Sequence, residues 1–288
     1  MTRYSAWKLF EQGLAGQTGW TPAWRMPEPK PSYDVVIVGG GGHGLSAAYH
    51  LAERYGVRNV AILEKGWLGG GNTGRNTTVI RSNYYYPESA RLYDLALRMY
   101  EGLSAELNYN IMLSQRGMLE IAHSEAEMEL YARMVNAMRL NGIDMELLDP
   151  EDVRKLVPIL NPSEDIRYPN HGGMFQPRAG IARHDAVAWG YARAADSRGV
   201  DIIQGCEVTG FTFAGGRITG VETSRGRIGA GRPGARRQYV GGRQPGWARA
   251  ATAELHAAGH GERAPEAVPR HGRRLARYRR LSEPIRQG

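Results

Sequence analysis

"YDVVIVGGGGHGLSAAYHLAERYGVRNVAILEKG", residues 33–66, decides the fold of this 288-residue chain. Residues 34–38 are a continuous apolar run suited to a buried parallel strand, residues 45–54 have helical composition, and residues 60–63 supply a second strand. Between the first strand and the helix, Gly39, Gly41 and Gly44 satisfy G-x-G-x-x-G, and Glu64 follows 20 residues after Gly44. Each position has a mechanical task. Gly39 allows the tight turn, Gly41 lets the backbone approach a pyrophosphate, and Gly44 lets the helix pack closely on the strand. Glu64 can accept hydrogen bonds from ribose hydroxyls while the helix N-terminus faces the phosphates. A glycine triplet alone is weak and has a plain alternative as a structural turn. The flanking strands and the acid at the right offset make it a dinucleotide site.

The next stretch, "KGWLGGGNTGRNTTVIRSNYYYPESARLYDLAL", separates the possible dinucleotides. Residues 69–76 form a second loop rich in donors directly after the ribose acid, able to wrap the pyrophosphate and flavin side of an extended cofactor, where an NAD domain starts a helix. FAD is therefore expected. Arg81 follows Thr78, Val79 and Ile80, an apolar segment that holds its guanidinium firmly. Two readings stand for it, an anchor for a substrate carboxylate and an ordinary ion pair.

Five segments carry a family resemblance: "DVVIVGGGGHGLSAAYHLA", "EKGWLGGGNTGRNTTVIRSNY", "SQRGMLEIAHS", "QPRAGIARHDAVAWGYARAAD" and "VDIIQGCEVTGF". Over about residues 30–230 the chain resembles the beta subunits of heterotetrameric sarcosine oxidases, flavin amine oxidases built like D-amino-acid oxidase. The resemblance implies a Rossmann-like FAD domain assembled from discontinuous segments, carrying a smaller substrate domain. It implies oxidation of sarcosine to glycine, with a one-carbon unit passed to tetrahydrofolate and oxygen reduced to peroxide, in a complex with alpha, gamma and delta subunits. By the same resemblance Gly39, Gly41, Gly42, His43, Gly44 and Glu64 contact a non-covalent FAD, Asn72, Asn76 and Thr77 pass the flavin, and Val208 meets the adenine. Arg81 matches the arginine that grips the substrate carboxylate. His184 matches the histidine that carries a second flavin, FMN, covalently at the face shared with the alpha subunit.

Local chemistry is compatible with that last role. Asp185 is a suitable N-cap for a helix beginning at Ala186, which places His184 beside the positive end of a helix dipole. Such a field favours the neutral imidazole, whose nitrogen lone pair is needed for attachment to an electrophilic flavin carbon. The same dipole, helped by Arg183, would stabilise an anionic cofactor. The plain alternative for His184 is an exposed neighbour of a helix cap. His50, His123 and His171 read as structural.

The remaining body alternates helices and strands, with helices expected over 88–107 and 124–141, a strand over 117–122, a short helix capped at Asp149, and a hairpin turning at 214–216. The expected class is α/β. The expected division is an N-terminal extension at 1–30, a first part of the FAD-binding domain at 31–87, a partial α+β substrate domain at 88–160, a second FAD part at 161–230 and a basic tail at 231–288.

That tail holds thirteen arginines and four glutamates and contains no Lys, Asp or Asn, leaving 24 basic and 25 acidic groups for the body. The formal charge of +8 is thus a property of the tail and gives the body no nucleic-acid signature. The tail has the composition of disorder. The family pattern does not return after Gly231, and an Arg, Gly, Ala and Pro bias is what a GC-rich reading frame yields when shifted, so a frameshift with early termination is expected there. An RNA-binding tail is the competing reading, weakened by irregular glycine spacing and few aromatic residues. No signal peptide is evident in the first thirty residues, and the most apolar window is broken by four consecutive glycines, so neither secretion nor membrane insertion is expected and the cytoplasm is the default compartment. Cys206 is the one cysteine, which excludes an intrachain disulfide and a cysteine-rich metal site; no metal is expected. Its plain reading is a small hydrophobe in a strand.

Overall fold

The computed structural model describes residues 5–20 and 22–231. In chain order the elements are α1 (Ala6–Leu14), β1 (Ser32–Tyr33), β2 (Val35–Val38), α2 (Gly42–Tyr55), β3 (Val60–Glu64), a 3-10 turn (Asn72–Arg75) and β4 (Val79–Ile80). There follow α3 (Pro87–Glu106), β5 (Met118–Ala122), α4 (Glu125–Leu140), β6 (Glu146–Leu148), α5 (Pro150–Leu156) and β7 (Gly172–Gln176). The last are β8 (Gly180–Ile181), α6 (His184–Asp196), β9 (Asp201–Gln204), β10 (Val208–Ala214), β11 (Arg217–Thr223) and β12 (Gly226–Ala230).

The βαβ unit forms as the opening stretch dictates. β2 and β3 run parallel, with Val35 opposite Val60 and Val38 opposite Leu63. The connecting helix starts at Gly42 rather than near residue 45, with Gly41 as its N-cap in extended conformation, and stops at the left-handed Gly56, whose conformation glycine adopts without strain. On the other flank of β3 lies β9, also parallel, pairing Ala61 with Asp201 and Glu64 with Gln204. The dinucleotide sheet, in order β2-β3-β9, is therefore built from two distant parts of the chain.

Alternation along these strands sorts their side chains to two faces. Val35, Ile37, Val60, Ile62 and Ile202 pack against Leu45, Ala48 and Tyr49 of α2 and Val187, Ala188 and Ala192 of α6. Val36, Ala61, Leu63 and Ile203 face Tyr33, Val221, Ile228 and Ala230 of the second sheet, ordered β1-β12-β11-β10. Its β10-β11 hairpin turns at Gly215 and Gly216, both at positive φ (57° and 74°), where the expected turn lies. Cys206 is fully buried, as expected of a small hydrophobe, but in the β9-β10 connection rather than in a strand.

The third sheet is antiparallel, in order β5-β7-β6, and is backed by α4 through Val135, Met138 and Met174. Ser124 and Asp149 cap α4 and α5, accepting from the amides of Glu127 (3.2 Å) and Asp152 (2.8 Å). Its central strand, β7, comes from the stretch assigned above to the second FAD part, so the chain crosses between sheets at residues 176–180. Among the described residues, no helix is long and apolar enough to cross a membrane. The expectations for the basic tail and the break in frame fall outside the described residues.

Candidate functional site

The carboxyl ends of β2, β3 and β9 gather the glycine motif, the acid and the second loop. Gly39 has φ of +105°, a conformation reserved in practice for glycine, and its amide extends the ladder to the Leu63 carbonyl at 2.8 Å. At Gly44 any Cβ would fall onto the Gly39 carbonyl oxygen and lie 3.2 Å from Ile37, so this glycine sets the approach of α2 to β2. The first turn of α2 has no acidic residue, and its His43 and Gly44 amides precede any intrahelical acceptor, leaving a positive end for phosphate. The Gly42 amide donates to Thr73 Oγ1 at 2.9 Å.

Glu64 closes β3 with its carboxylate fixed by backbone. Oε2 accepts from the Gly40 amide at 2.7 Å and Oε1 from the Gly66 amide at 2.9 Å, which leaves acceptor capacity on both oxygens for ribose hydroxyls. The second loop docks onto the first, as the Gly69 amide donates to the Gly40 carbonyl (2.9 Å) and the Leu68 amide to Gln204 Oε1 (3.0 Å). Asn76 ties the loop's exit, donating to the Thr73 carbonyl (2.6 Å) and accepting from the Thr78 amide (2.7 Å). Asn72, Asn76 and Thr77 are exposed here, as is His43. Half-buried Val208 opens β10 just after Cys206, whose amide extends the ladder to the Glu64 carbonyl at 2.9 Å. The glycine cradle and the free acceptor capacity of Glu64 fit an extended dinucleotide, and these residues would hold the pyrophosphate and ribose of FAD.

The β4-β8 ladder joins this loop to the segment before α6, pairing Val79 with Ile181 and Ile80 with Gly180. It continues through the Ala182 amide to the Thr78 carbonyl at 3.1 Å. Thr78, a β-branched residue, is held at φ of +62°, a strained conformation fixed from both sides by Asn76 and Ala182. Three residues on, Arg81 is half-buried and forms no ion pair among the described residues. Its Nη1 donates to Asn83 Oδ1 at 2.7 Å and its Cζ lies 4.6 Å from the Tyr84 ring centroid.

Sequence reasoning did not single out Asn83, Tyr84 or Gln176. Gln176 is fully buried at the end of β7, accepts from the amides of Ser82 (3.0 Å) and Asn83 (3.2 Å), and donates to Ser82 Oγ (2.7 Å) and Asp144 (3.0 Å). Nothing in local spacing announces this, because Gln176 and Ser82 lie 94 residues apart.

His184 is the first residue of α6, after Arg183 as N-cap. The expected cap is corrected. Asp185 lies inside the first turn, accepting from the Ala186 amide at 2.9 Å, and the start of the helix is set instead by the Arg183 amide on the Ile111 carbonyl at 3.1 Å. Arg183 is not a free cation either. It grips Asp185 through two bonds of 3.0 and 2.5 Å, which hold the Asp185 carboxyl below its ordinary range and remove the expected support for an anion. His184 Nδ1 is buried with no hydrogen-bond partner among the described residues, an orphaned polar atom that fits attachment of a bound group.

The known-protein family model that matches is that of the FAD dependent oxidoreductases, over residues 34–267. Two relatives described as sarcosine oxidase subunit beta, from Rhizobium meliloti and an Arthrobacter species, are each 57% identical, covering 79% and 73% of this chain and 54% and 52% of their own. The chain thus spans about half the length of these curated relatives. Among solved structures, the L-proline dehydrogenase of P. horikoshii superposes with a TM-score of 0.67 at 26% identity, covering 80% of this chain and 57% of its own. The glycine oxidase of Bacillus cereus gives 0.64 at 27% identity, over 73% and 55%. Glycine turn, acid, two-part sheet and family match agree, and the chain belongs to the FAD-dependent oxidoreductase family.

Proposed function

We propose that this chain is the FAD-binding portion of a sarcosine-oxidase-type beta subunit that oxidises an N-methyl amino acid, sarcosine first among them. The observation that carries the reading is Arg81, half-buried and with no carboxylate partner among the described residues, directly after the short strand β4 that leads out of the cofactor loop. An unpaired guanidinium in that setting suits a small carboxylate held through two parallel hydrogen bonds. Bound FAD would supply the hydride acceptor. The chain's own share is binding and orientation: a two-point grip on the carboxylate leaves few ways for the substrate's C–H bonds to face the flavin, and such restriction is a large part of catalysis.

The finer parts of the reading are what the family resemblance implies. FAD is held without a covalent bond, His184 attaches FMN, the complex includes alpha, gamma and delta subunits, oxygen and tetrahydrofolate take the electrons and the one-carbon unit, and the compartment is the cytoplasm. The orphaned Nδ1 of His184 supports the attachment site. The test is an absorbance spectrum of the purified protein with and without sarcosine, free of oxygen. Oxidised flavin bands bleached by sarcosine are expected; bands that no N-methyl amino acid bleaches refute the substrate assignment. Flavin fluorescence that stays on the denatured chain, and is lost in His184→Ala, is expected of the native complex. Survival of that fluorescence in the variant refutes the attachment.

A further inference from the structure

We propose that Tyr84 and Asn83 are positioning residues that fix the plane and the free edge of the Arg81 guanidinium, so that one planar carboxylate fits it. The inference rests on the reading of Arg81 as a carboxylate anchor.

Four consecutive residues, Arg81, Ser82, Asn83 and Tyr84, bend back on themselves, with the Tyr84 amide donating to the Ser82 carbonyl at 2.7 Å. The bend is pinned from β7 by the Gln176 amide group, every polar position of which is used: two backbone amides on its oxygen, Ser82 Oγ and Asp144 on its nitrogen. Because these groups are buried, breaking any of these bonds strands a polar atom, and the bend has no cheap alternative.

On this bend the Asn83 side chain has only one consistent orientation. Arginine can only donate and a carboxylate can only accept, so Oδ1 faces Arg81 Nη1 at 2.7 Å and Nδ2 faces Glu120 Oε1 at 3.0 Å. Asn83 is 5% exposed, and the brace from Glu120 on β5 keeps its oxygen aimed at the guanidinium. The face is fixed separately. Arg81 lies over the Tyr84 ring, and Tyr84 in turn stacks on Tyr93 of α3, centroids 3.8 Å apart and planes 16° apart. Arginine, tyrosine and tyrosine form three layers, anchored in a helix that starts at Pro87.

With Nη1 on Asn83 and one face on Tyr84, the Nε and Nη2 hydrogens of Arg81 make no hydrogen bond among the described residues. These are the donors of a fork suited to a carboxylate. A long side chain that would otherwise lose its rotamer freedom on binding has already lost it, so less of the interaction energy is spent on ordering. Lysine at position 81 could fill the charge but neither the plane nor the fork.

The test is titration of the purified chain with acetate, read by calorimetry and by the flavin difference spectrum, with flavin content and circular dichroism as folding controls. Tyr84→Leu is expected to weaken acetate roughly tenfold, and Tyr84→Phe, which keeps the ring, to restore affinity to within about twofold. In an Arg81→Met background Tyr84→Leu is expected to change nothing further, since there is no guanidinium left to orient. A folded Tyr84→Leu protein that binds acetate like the parent overturns the proposal, as does a full additive loss in the double variant. If Tyr84→Leu does not fold, Tyr93→Leu on the half-exposed face of α3 decides, with a roughly threefold loss expected and an unchanged affinity overturning it. Acetate binding that is absent in the parent, or unaltered in Arg81→Met, refutes the anchor reading itself rather than the positioning.

Discussion

Replacing Gly44 and Gly41 separately by alanine should divide the glycine motif into a folding part and a binding part. At Gly44 the new methyl would lie well inside the 3.0 Å that real Cβ atoms keep, against a backbone oxygen of Gly39 that cannot rotate away. Helix α2 must then lift from β2 by roughly an ångström, and overpacking of this kind costs about 1–3 kcal/mol. Alanine returns up to about 1 kcal/mol through helix propensity, less here because the position is in the first turn. The net loss is about 2 kcal/mol, or a fall in Tm of roughly 4–8 °C for a folded body of this size. At Gly41 the methyl meets only the Thr73 side chain, at 3.1 Å, and φ is −83°, so the backbone is unstrained. Alanine is a poorer N-cap than glycine by roughly 0.5–1 kcal/mol, still below the loss expected at Gly44. It does occupy the space where a pyrophosphate would approach, and a loss of FAD affinity of roughly ten- to a hundredfold is expected. Thermal unfolding of flavin-free protein measures the first effect and flavin titration the second. Equal Tm losses in both variants, or a Gly44→Ala protein as stable as the parent, would refute the assignment of separate tasks.

Two further outcomes are expected. Both ring nitrogens of His50 are buried without hydrogen-bond partners among the described residues, between Tyr49 and Tyr191, and burial first, then Arg54, lowers its pKa against the weaker pull of Glu106 and Glu53. A histidine with a depressed folded pKa takes up a proton more readily once unfolded, so stability should be full above about pH 6.5 and fall as pH drops through the folded value; urea midpoints across that range should show this slope, and His50→Leu should flatten it. Asp201, 2% exposed, binds Lys30 (2.7 Å) and Tyr33 (3.2 Å), while burial above all pushes the Tyr33 hydroxyl up to about 12. Asp201→Asn should cost roughly 1–3 kcal/mol in urea unfolding and lower the Tyr33 titration point followed by ultraviolet absorbance, because the Asp201 charge is lost.

The parallel strands and their helix were legible because they follow from periodicity and glycine placement alone, both properties of residues 33–66. The start of α2 was set three residues late because glycine is a weak helix former, yet two glycines sit in its first turn where backbone amides are left for ligand. The Asp185 cap was misplaced for a different reason: α6 is started by a tertiary bond from Arg183 to Ile111, which no neighbouring residue encodes. Arg81 could be picked out by its charge in an apolar segment. Its supports could not, since Gln176 lies on β7 and Glu120 on β5, and only the folded sheets bring them to Asn83.

The two-part sheet also has a consequence in time. β3 leaves the ribosome with β2 and α2 beside it, but its other neighbour, β9, is encoded 137 residues after Glu64. At ordinary synthesis rates of about 5–20 residues per second, that partner is missing for roughly 7–30 s. Through this interval an apolar strand flank and the seat of α6 stand open on the nascent chain. The cofactor cannot close the gap, because the Leu68 amide that steadies the second loop waits for Gln204, the last residue of the same late strand. A cofactor site steadied in this way is expected to be complete only after β9 has been made, so the nascent αβ half carries its open apolar flank without that support.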